Sequence, residues 1–322
     1  MIYDLCNLQT VRSLLERYGL APKKGFGQNF LINPAVPERI AELSSSFADH
    51  SKPTGVIEIG PGVGALTQYL AGEYDKVVAV EIDRGLIPLL GEVFEDFDNI
   101  TVVEADFMNI DLHAFLREHF GEIIDAGGSV SVCANLPYYI TTPVIMKLLE
   151  AFPLTEKIPL SSIVVMIQLE VARRLAATPA QSDYGSISAE IALRADAKKL
   201  LDVSAGNFLP VPKVASAVVG IVPHGGIREV YPDAPSDDAD CLTYSAKVSE
   251  LITLAFGQRR KTLINAVSEK YPKDKVAAVL EECGIRPDIR GEKLSAADFC
   301  RIADLLNRER NTKKLHRDCQ CH

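Results

Sequence analysis

No stretch of this chain approaches the ~18 uncharged apolar residues that a bilayer span needs. Its start, Met1-Ile2-Tyr3-Asp4, has no basic segment leading into an apolar core, so a soluble, untargeted, cytoplasmic protein is expected. Paired cysteine spacing is missing too. The seven cysteines are odd in number and scattered, which excludes a disulfide framework or zinc cage and fits a reducing compartment. The ending Cys319-Gln320-Cys321-His322 gathers two thiols and an imidazole at a terminus, too few ligands for a defined site, and no metal is expected. A basic excess is also lacking: Lys+Arg 34 against Asp+Glu 43 leave a formal charge of -9. Such a chain is not a general binder of nucleic acid, and any basic surface must be local. No internal repeat is present.

What the chain does have is a regular alternation. Short β-branched runs at 56–60, 76–82, 100–106, 129–135 and 161–168 are separated by stretches with helical spacing, such as Leu66, Leu70 and then Leu86, Leu89, Leu90, Val93. Strand and helix in turn predict a parallel sheet covered on both faces. Beyond 163 the rhythm changes to helices near 170–177 and 186–195, then strands at 199–204 and 215–222. The last two are close enough in sequence to pair, which would make the final strand antiparallel. Residues 223–240, rich in Gly, Pro, Asp and Ser, have a linker's composition. Amphipathic helices are expected at 247–255, 260–269, 273–283 and 295–306, the last capped by Ser295, with a frayed polar tail at 307–322. At 322 residues two domains are the default. The resulting division is 1–225 catalytic, 226–240 linker, 241–306 helical and 307–322 tail.

Two run-and-turn segments carry chemistry. Glu58-Ile59-Gly60-Pro61-Gly62-Val63-Gly64 follows a strand, where glycines let a backbone approach a ligand and the next helix offers N–H groups to an anion. The spacing Gly-x-Gly-x-Gly differs from the Gly-x-Gly-x-x-Gly of dinucleotide folds, so a smaller anion such as a carboxylate is expected. Glu81 ends the second strand, placed to accept both hydroxyls of a ribose. Asp106 ends the third, placed to accept from an adenine amine. Each acid alone would pass for a solvated strand end, but all three strand ends converge on one crevice in a doubly wound sheet.

The second segment is Asn135-Leu136-Pro137-Tyr138. The lone pair of an exocyclic adenine amine is delocalised into the ring, so methylation requires acceptors that take the amine protons. Asn135 offers its side-chain oxygen, and Pro137, which lacks a donor, releases the Leu136 carbonyl from sheet pairing. Tyr138 supplies a face for stacking, and Phe208, either packed in the core or held out by a loop that Pro210 and Pro212 stiffen, would in the second case be another wall around an extruded base. A sulfonium donor needs no general base, so in-line positioning supplies most of the acceleration. Arg259, Arg260 and Lys261 form a compact basic cluster suited to phosphate, and Lys23, Lys24 and Lys213 are placed near the expected pocket entrance. The basic residues of the tail are read as a solvated face.

These residues resemble the ribosomal RNA adenine dimethyltransferase family, most closely its members acting on bacterial small-subunit RNA. Lys23-Lys24-Gly25-Phe26-Gly27-Gln28-Asn29-Phe30-Leu31 looks like the family's opening motif. The likeness continues through Glu58–Gly64, Glu81-Ile82-Asp83, Ala105-Asp106, Asn135–Tyr138, Tyr184-Gly185-Ser186, Phe208–Val219 and Phe256–Leu263. It implies a class I, Rossmann-like methyltransferase fold with a seven-stranded, mostly parallel sheet and a small all-helical C-terminal domain. It also implies S-adenosylmethionine as donor, with two adjacent adenosines in a hairpin loop near the 3′ end of 16S rRNA as targets. Each would be dimethylated at N6 within the 30S subunit or its precursor, with a role in 30S biogenesis, by a monomer. By matching positions, Asn29, Leu31, Gly60, Gly62, Glu81, Asp106 and Asn135 line the donor site. Asn135, Leu136, Pro137, Tyr138 and Phe208 meet the target base. Ala215 stands where the family commonly has Asp, which bears on local loop contacts alone.

Three rival readings remain. A resistance-type methyltransferase acting on large-subunit RNA shares the glycine turn and an Asn-x-Pro-Tyr, but not the extended match from Tyr184 to Leu263. An assembly or transcription factor that has lost catalysis would not need an intact Glu81 and Asn135–Tyr138. A nicotinamide enzyme fails on glycine spacing.

Overall fold

In the computed structural model the β-branched runs become strands because successive Val, Ile and Ala side chains suit neither face to water. The structure describes residues 3–21, 29–137, 139–151, 160–258 and 260–318, with side chains as far as 308. The strands are β1 (Phe30–Leu31), β2 (Thr54–Ile59), β3 (Lys76–Glu81), β4 (Ile100–Glu104), β5 (Ser129–Asn135), β6 (Leu160–Gln168), β7 (Ala195–Val203), β8 (Phe208–Leu209) and β9 (Ser216–Pro223). Seven form one sheet in the order β4-β3-β2-β5-β6-β9-β7. β2 is buried at every position and β5 at all but its ends, as central strands covered on both faces must be.

Strands β2 to β6 pair in parallel, and β9 inserts antiparallel to β6, with Val165 opposite Val219. β7 neighbours β9 at the sheet's edge, so the last strand in sequence is not the last in space. The sheet order reverses beside β2, which has β3 and β4 on one side and β5 on the other. A crevice opens there, beyond the carboxyl ends of the strands, where open α/β sheets bind their ligands.

The described chain divides into two compact units, 3–151 with 160–173 and 197–223, and 174–196 with 224–318. The helical unit therefore reaches back across the sequence and takes in the helix Ser186–Ala192. Burial explains why: Tyr184, Ala189 and Leu193 share a core with Val248, Leu251 and Phe299. The Tyr184 hydroxyl donates to the Leu294 carbonyl at 2.8 Å, so this motif residue fastens the unit internally.

The expected linker at 226–240 is packed instead. Ile227 is fully buried. The Arg228 guanidinium donates to the carbonyls of Pro235 (2.9 Å) and Ser236 (2.7 Å) and to Asp238 (3.0 Å), closing the Pro-rich loop on itself. The tail expected to fray continues the last helix, Ala296–Asp318, because no Gly or Pro interrupts it. Ser295 caps that helix reciprocally with Asp298: the Asp298 amide donates to Ser295 Oγ at 3.1 Å and the Ser295 amide to Asp298 Oδ2 at 2.8 Å. The helix expected at 260–269 shrinks to Leu263–Ala266, since the Leu263 amide is taken by the Ile289 carbonyl at 2.7 Å. Among the described residues no helix is long and apolar enough to cross a membrane.

One glycine of the turn after β2 is fixed by sterics alone. Gly64 has φ +90°, and a Cβ there would lie 2.4 Å from the ring of Phe94. Gly64→Ala is expected to cost about 2 kcal/mol or more, from overpacking plus a left-handed backbone. Urea unfolding checks this, and a midpoint equal to the parent's would show that the Phe94 ring can move aside.

Candidate active site

The crevice at the reversal point is a cavity of about 270 Å³, and every described residue expected to hold the donor lines it: Asn29, Leu31, Gly60, Gly62, Glu81, Asp106 and Asn135. Leu136, Pro137 and Phe208 line it as well. Strand register brings them together. Ile59 pairs with Val80 on one side and Ala134 on the other, so Gly60, Glu81 and Asn135 each lie one residue further, at a common level.

The glycine turn is tied to the protein through its own amides. The amides of Gly60, Gly62 and Gly64 are engaged within the protein, with the Val80 carbonyl (2.9 Å), Glu81 Oε2 (3.2 Å) and the Pro61 carbonyl (2.9 Å). The helix that follows starts only at Thr67 and spans seven residues. These three amides are therefore spent within the protein, and the glycines serve by close backbone approach. Gly60 serves by what it lacks: at φ +70° a Cβ would meet no protein atom within 4 Å, leaving the ligand side of the turn open.

Glu81 is buried and accepts from the amides of Gly62 and Asp83, the latter at 2.8 Å. Burial raises its pKa, and the two amides pull it back. A carboxylate has about four lone-pair sites, so two acceptor positions remain for a pair of hydroxyls. Asp106 does two jobs. Its carboxylate receives the Met108 amide and the Asn109 side chain, both at 2.9 Å, and so caps the short turn 107–109 while lining the cavity. Lys147 holds that turn from the helix after β5, donating to the carbonyls of Met108 (3.0 Å) and Ile110 (2.7 Å).

Asn135 donates its side-chain amide to the Asn29 carbonyl at 3.2 Å, which turns the amide so that Oδ1 is its acceptor end. The Leu136 amide continues the ladder to the Met166 carbonyl at 3.1 Å, and the Leu136 side chain is buried. The Pro137 carbonyl receives the Ile140 amide at 3.2 Å. Phe208 corrects the picture of a ring held out by a stiff loop. It is 2 % exposed and belongs to the main core, because β8 pairs antiparallel with β1 through Phe30↔Leu209 and Leu31↔Phe208. This clasp, absent from any reading of the sequence, joins the 29–31 segment to the segment carrying Phe208.

Tyr138, Lys23, Lys24 and Arg259 lie outside the described residues. Lys213, Arg260 and Lys261 are exposed. Lys213 belongs to the sheet unit, and Arg260 and Lys261 to the helical unit.

One cavity residue escaped the sequence reading as a functional group. Glu58, on β2, is 1 % exposed and lines the cavity, and its Oε2 has no hydrogen-bond partner among the described residues. Burial pushes its carboxyl up to about 8, with Thr67 lowering it and the Glu81 charge raising it. The residues thus fit a nucleosidic cation. Hydroxyl acceptors sit on β3, a turn capped by an acid follows β4, and a buried carboxyl oxygen without a partner among the described residues belongs to the lining. S-adenosylmethionine is such a ligand, with adenine, ribose and a charged methionine end.

This site on this sheet defines a class I, Rossmann-like methyltransferase. A model of the ribosomal RNA adenine dimethylase family matches residues 20–308. Ribosomal RNA small subunit methyltransferase A of Geobacillus kaustophilus is 39% identical over 311 residues, covering 95% of this chain and 98% of its own. That of Bacillus pumilus is 39% identical over 310 residues, covering 95% and 98%. Among solved structures, a dimethyladenosine transferase from Plasmodium falciparum superposes with TM-score 0.64 at 23% identity, covering 88% of this chain and 98% of that one. The 23S rRNA methyltransferase ErmE superposes with 0.61 at 22%, covering 86% and 99%; both establish the fold. The chain belongs to the ribosomal RNA adenine dimethylase family. It is an enzyme that dimethylates adenine in ribosomal RNA, with S-adenosylmethionine as methyl donor.

A buried acid with a raised pKa leaves a signature in stability. Glu58 holds its proton when folded and loses it when unfolded above the ordinary carboxylate range. Its contribution is complete below about pH 4.3 and is lost as pH rises towards about 8. Glu58→Gln in the ligand-free protein is expected to flatten the fall of Tm between those limits. Parallel parent and variant curves would show Glu58 ionised in the fold.

Proposed function

We propose that this chain dimethylates, at N6, two adjacent adenosines in the hairpin loop near the 3′ end of 16S rRNA. The substrate is presented on the 30S subunit or its precursor, so the enzyme acts in 30S biogenesis, in the cytoplasm and as a monomer. The observation that carries this reading is the shared cavity, in which the strand-end acids and the Asn135–Pro137 segment meet. The relatives named for the small subunit, which align over nearly the whole chain, support that substrate over the large-subunit alternative.

In this reading Glu81 receives the ribose hydroxyls and Asp106 the adenine amine of the donor. Asn29, Leu31, Gly60, Gly62 and Asn135 complete that half. When bound, S-adenosylmethionine supplies an electrophilic methyl group on a sulfonium. Asn135 Oδ1 and the Leu136 carbonyl accept the protons of the target amine and favour a tetrahedral nitrogen; Pro137 holds the turn that presents them. The hydrogen bond from Asn135 to Asn29 fixes that acceptor in advance. Phe208 acts as a buried wall of the base pocket and not as a mobile lid, while Tyr138 provides the opposing face. Since the proton can leave after transfer, alignment and not a general base lowers the barrier. Phosphate contacts fall to Lys23, Lys24 and Lys213 and to Arg259, Arg260 and Lys261 of the helical domain. Small basic clusters on each unit suit a folded particle whose shape supplies much of the selectivity.

The decisive assay is tritium transfer from labelled donor to undermethylated 30S particles, with naked 16S rRNA and 50S particles as controls. Transfer to the 30S particle is expected, at two neighbouring adenosines, and preferential labelling of 50S RNA would overturn the substrate assignment. In the same assay Asn135→Ala is expected to lower the single-turnover rate about 100- to 1,000-fold, the scale of losing one acceptor of the transition state, with RNA affinity within about twofold. Charge reversal at Arg260 and Lys261 is expected to weaken RNA binding and flatten its salt dependence by about one unit of slope per lost contact. Donor affinity stays unchanged in that variant, and equal salt slopes would remove the cluster from the interface.

A further inference from the structure

Large apolar side chains left exposed are informative when they gather in one place. Among the described residues of the sheet unit these are Ile82 (47%), Tyr139 (61%), Val211 (65%) and Val214 (44%). Two of the four line the cavity, and the other two follow a lining residue in sequence. Ile82 and Tyr139 are the lining pair. Val211 and Val214 follow cavity-lining Phe208 by three and six residues and flank the exposed Lys213. Ile82 follows Glu81 and belongs to the donor half. Tyr139 is different: it follows the Asn135–Pro137 segment, whose acceptors face the target amine, and stands before the helix Thr141–Glu150. Its ring contributes little to the core.

Removing an adenine from a stacked loop leaves the neighbouring base with one bare face. An aromatic side chain at the mouth of the pocket can cover that face, and base–aromatic stacking is tolerant of sequence because every base has a π-face. Tyr139 has the required chemistry and exposure, on the segment that must receive the extruded base. A protein partner fits this rim poorly, since it would seal the mouth through which the adenine must pass. Lys213 between two exposed valines adds the pairing expected for a nucleotide strand, a cation for phosphate beside apolar contacts for sugar and base.

We propose that Tyr139 is a positioning residue for the RNA: its ring stacks on the base adjoining the target adenosine and holds the extruded conformation. The inference rests on the assignment of the cavity as the adenine methylation site, and extends it from the reacting base to its neighbour.

The test compares the full-length parent with Tyr139→Phe, Tyr139→Leu and Tyr139→Ala on undermethylated 30S particles. The expected result is a fall in kcat/KM of about 10- to 100-fold for Ala, the range for losing one base–aromatic stack. Leu is expected to recover little and Phe nearly everything, while Tm and S-adenosylmethionine affinity stay at parental values in all three. Three results would overturn the proposal: Ala within twofold of parent, Leu restoring activity as well as Phe, or donor affinity falling in step with kcat/KM. The last would place the ring in the donor half. If the parent methylates naked or 50S RNA and not the 30S particle, the substrate assignment fails separately. The same variants measured on the accepted RNA then decide the role of Tyr139.

Discussion

The register of β2 between its two parallel neighbours is the constraint on which the site depends. Ile59 lies opposite both Val80 and Ala134, so the glycine turn, Glu81 and Asn135 emerge side by side. A slip by one residue would turn every β2 side chain to the opposite face and carry Glu58 away from the cavity. Burial of the whole strand locks that register, because slippage would have to repack both faces of the sheet at once.

Around that register, hydrogen bonds tie parts of the site to other elements. Glu81 reaches from β3 to the turn after β2, Asn135 from β5 to the 29–31 segment, and Lys147 from its helix to the turn that carries Asp106. Glu81 and Asn135, both with proposed chemical roles, thus also brace a second segment. In the proposed reading donor and target pockets share walls as a result, with Asn135 in both. Preorganisation of this kind suits a reaction in which alignment lowers the barrier more than proton transfer does.

Much of the sheet was legible because it obeys local rules. The run at 129–135 is β5 to the residue, and the antiparallel ending follows from two strand candidates close in sequence. That Glu81 and Asn135 share one cavity was legible from their strand-end placement. The glycine turn was legible as a close backbone approach, but the internal partners of its amides, Glu81 and two backbone carbonyls, were not. Phe208 misled. Two prolines nearby suggest a projecting loop, but the two-residue pairing with Phe30 and Leu31 draws the ring into the core.

By itself the sequence determined the alternation of strand and helix, the acids and amide at strand ends, and the family likeness. These depend on residue periodicity and on short motifs whose chemistry survives in any context. The tertiary structure alone decided the partners of the turn amides, the burial of Phe208 and the orphaned oxygen of Glu58. It also decided the reach of the helical unit back to residue 174. Each is a contact between segments far apart in the chain, and no local pattern encodes which distant group will complete a hydrogen bond or close over a ring.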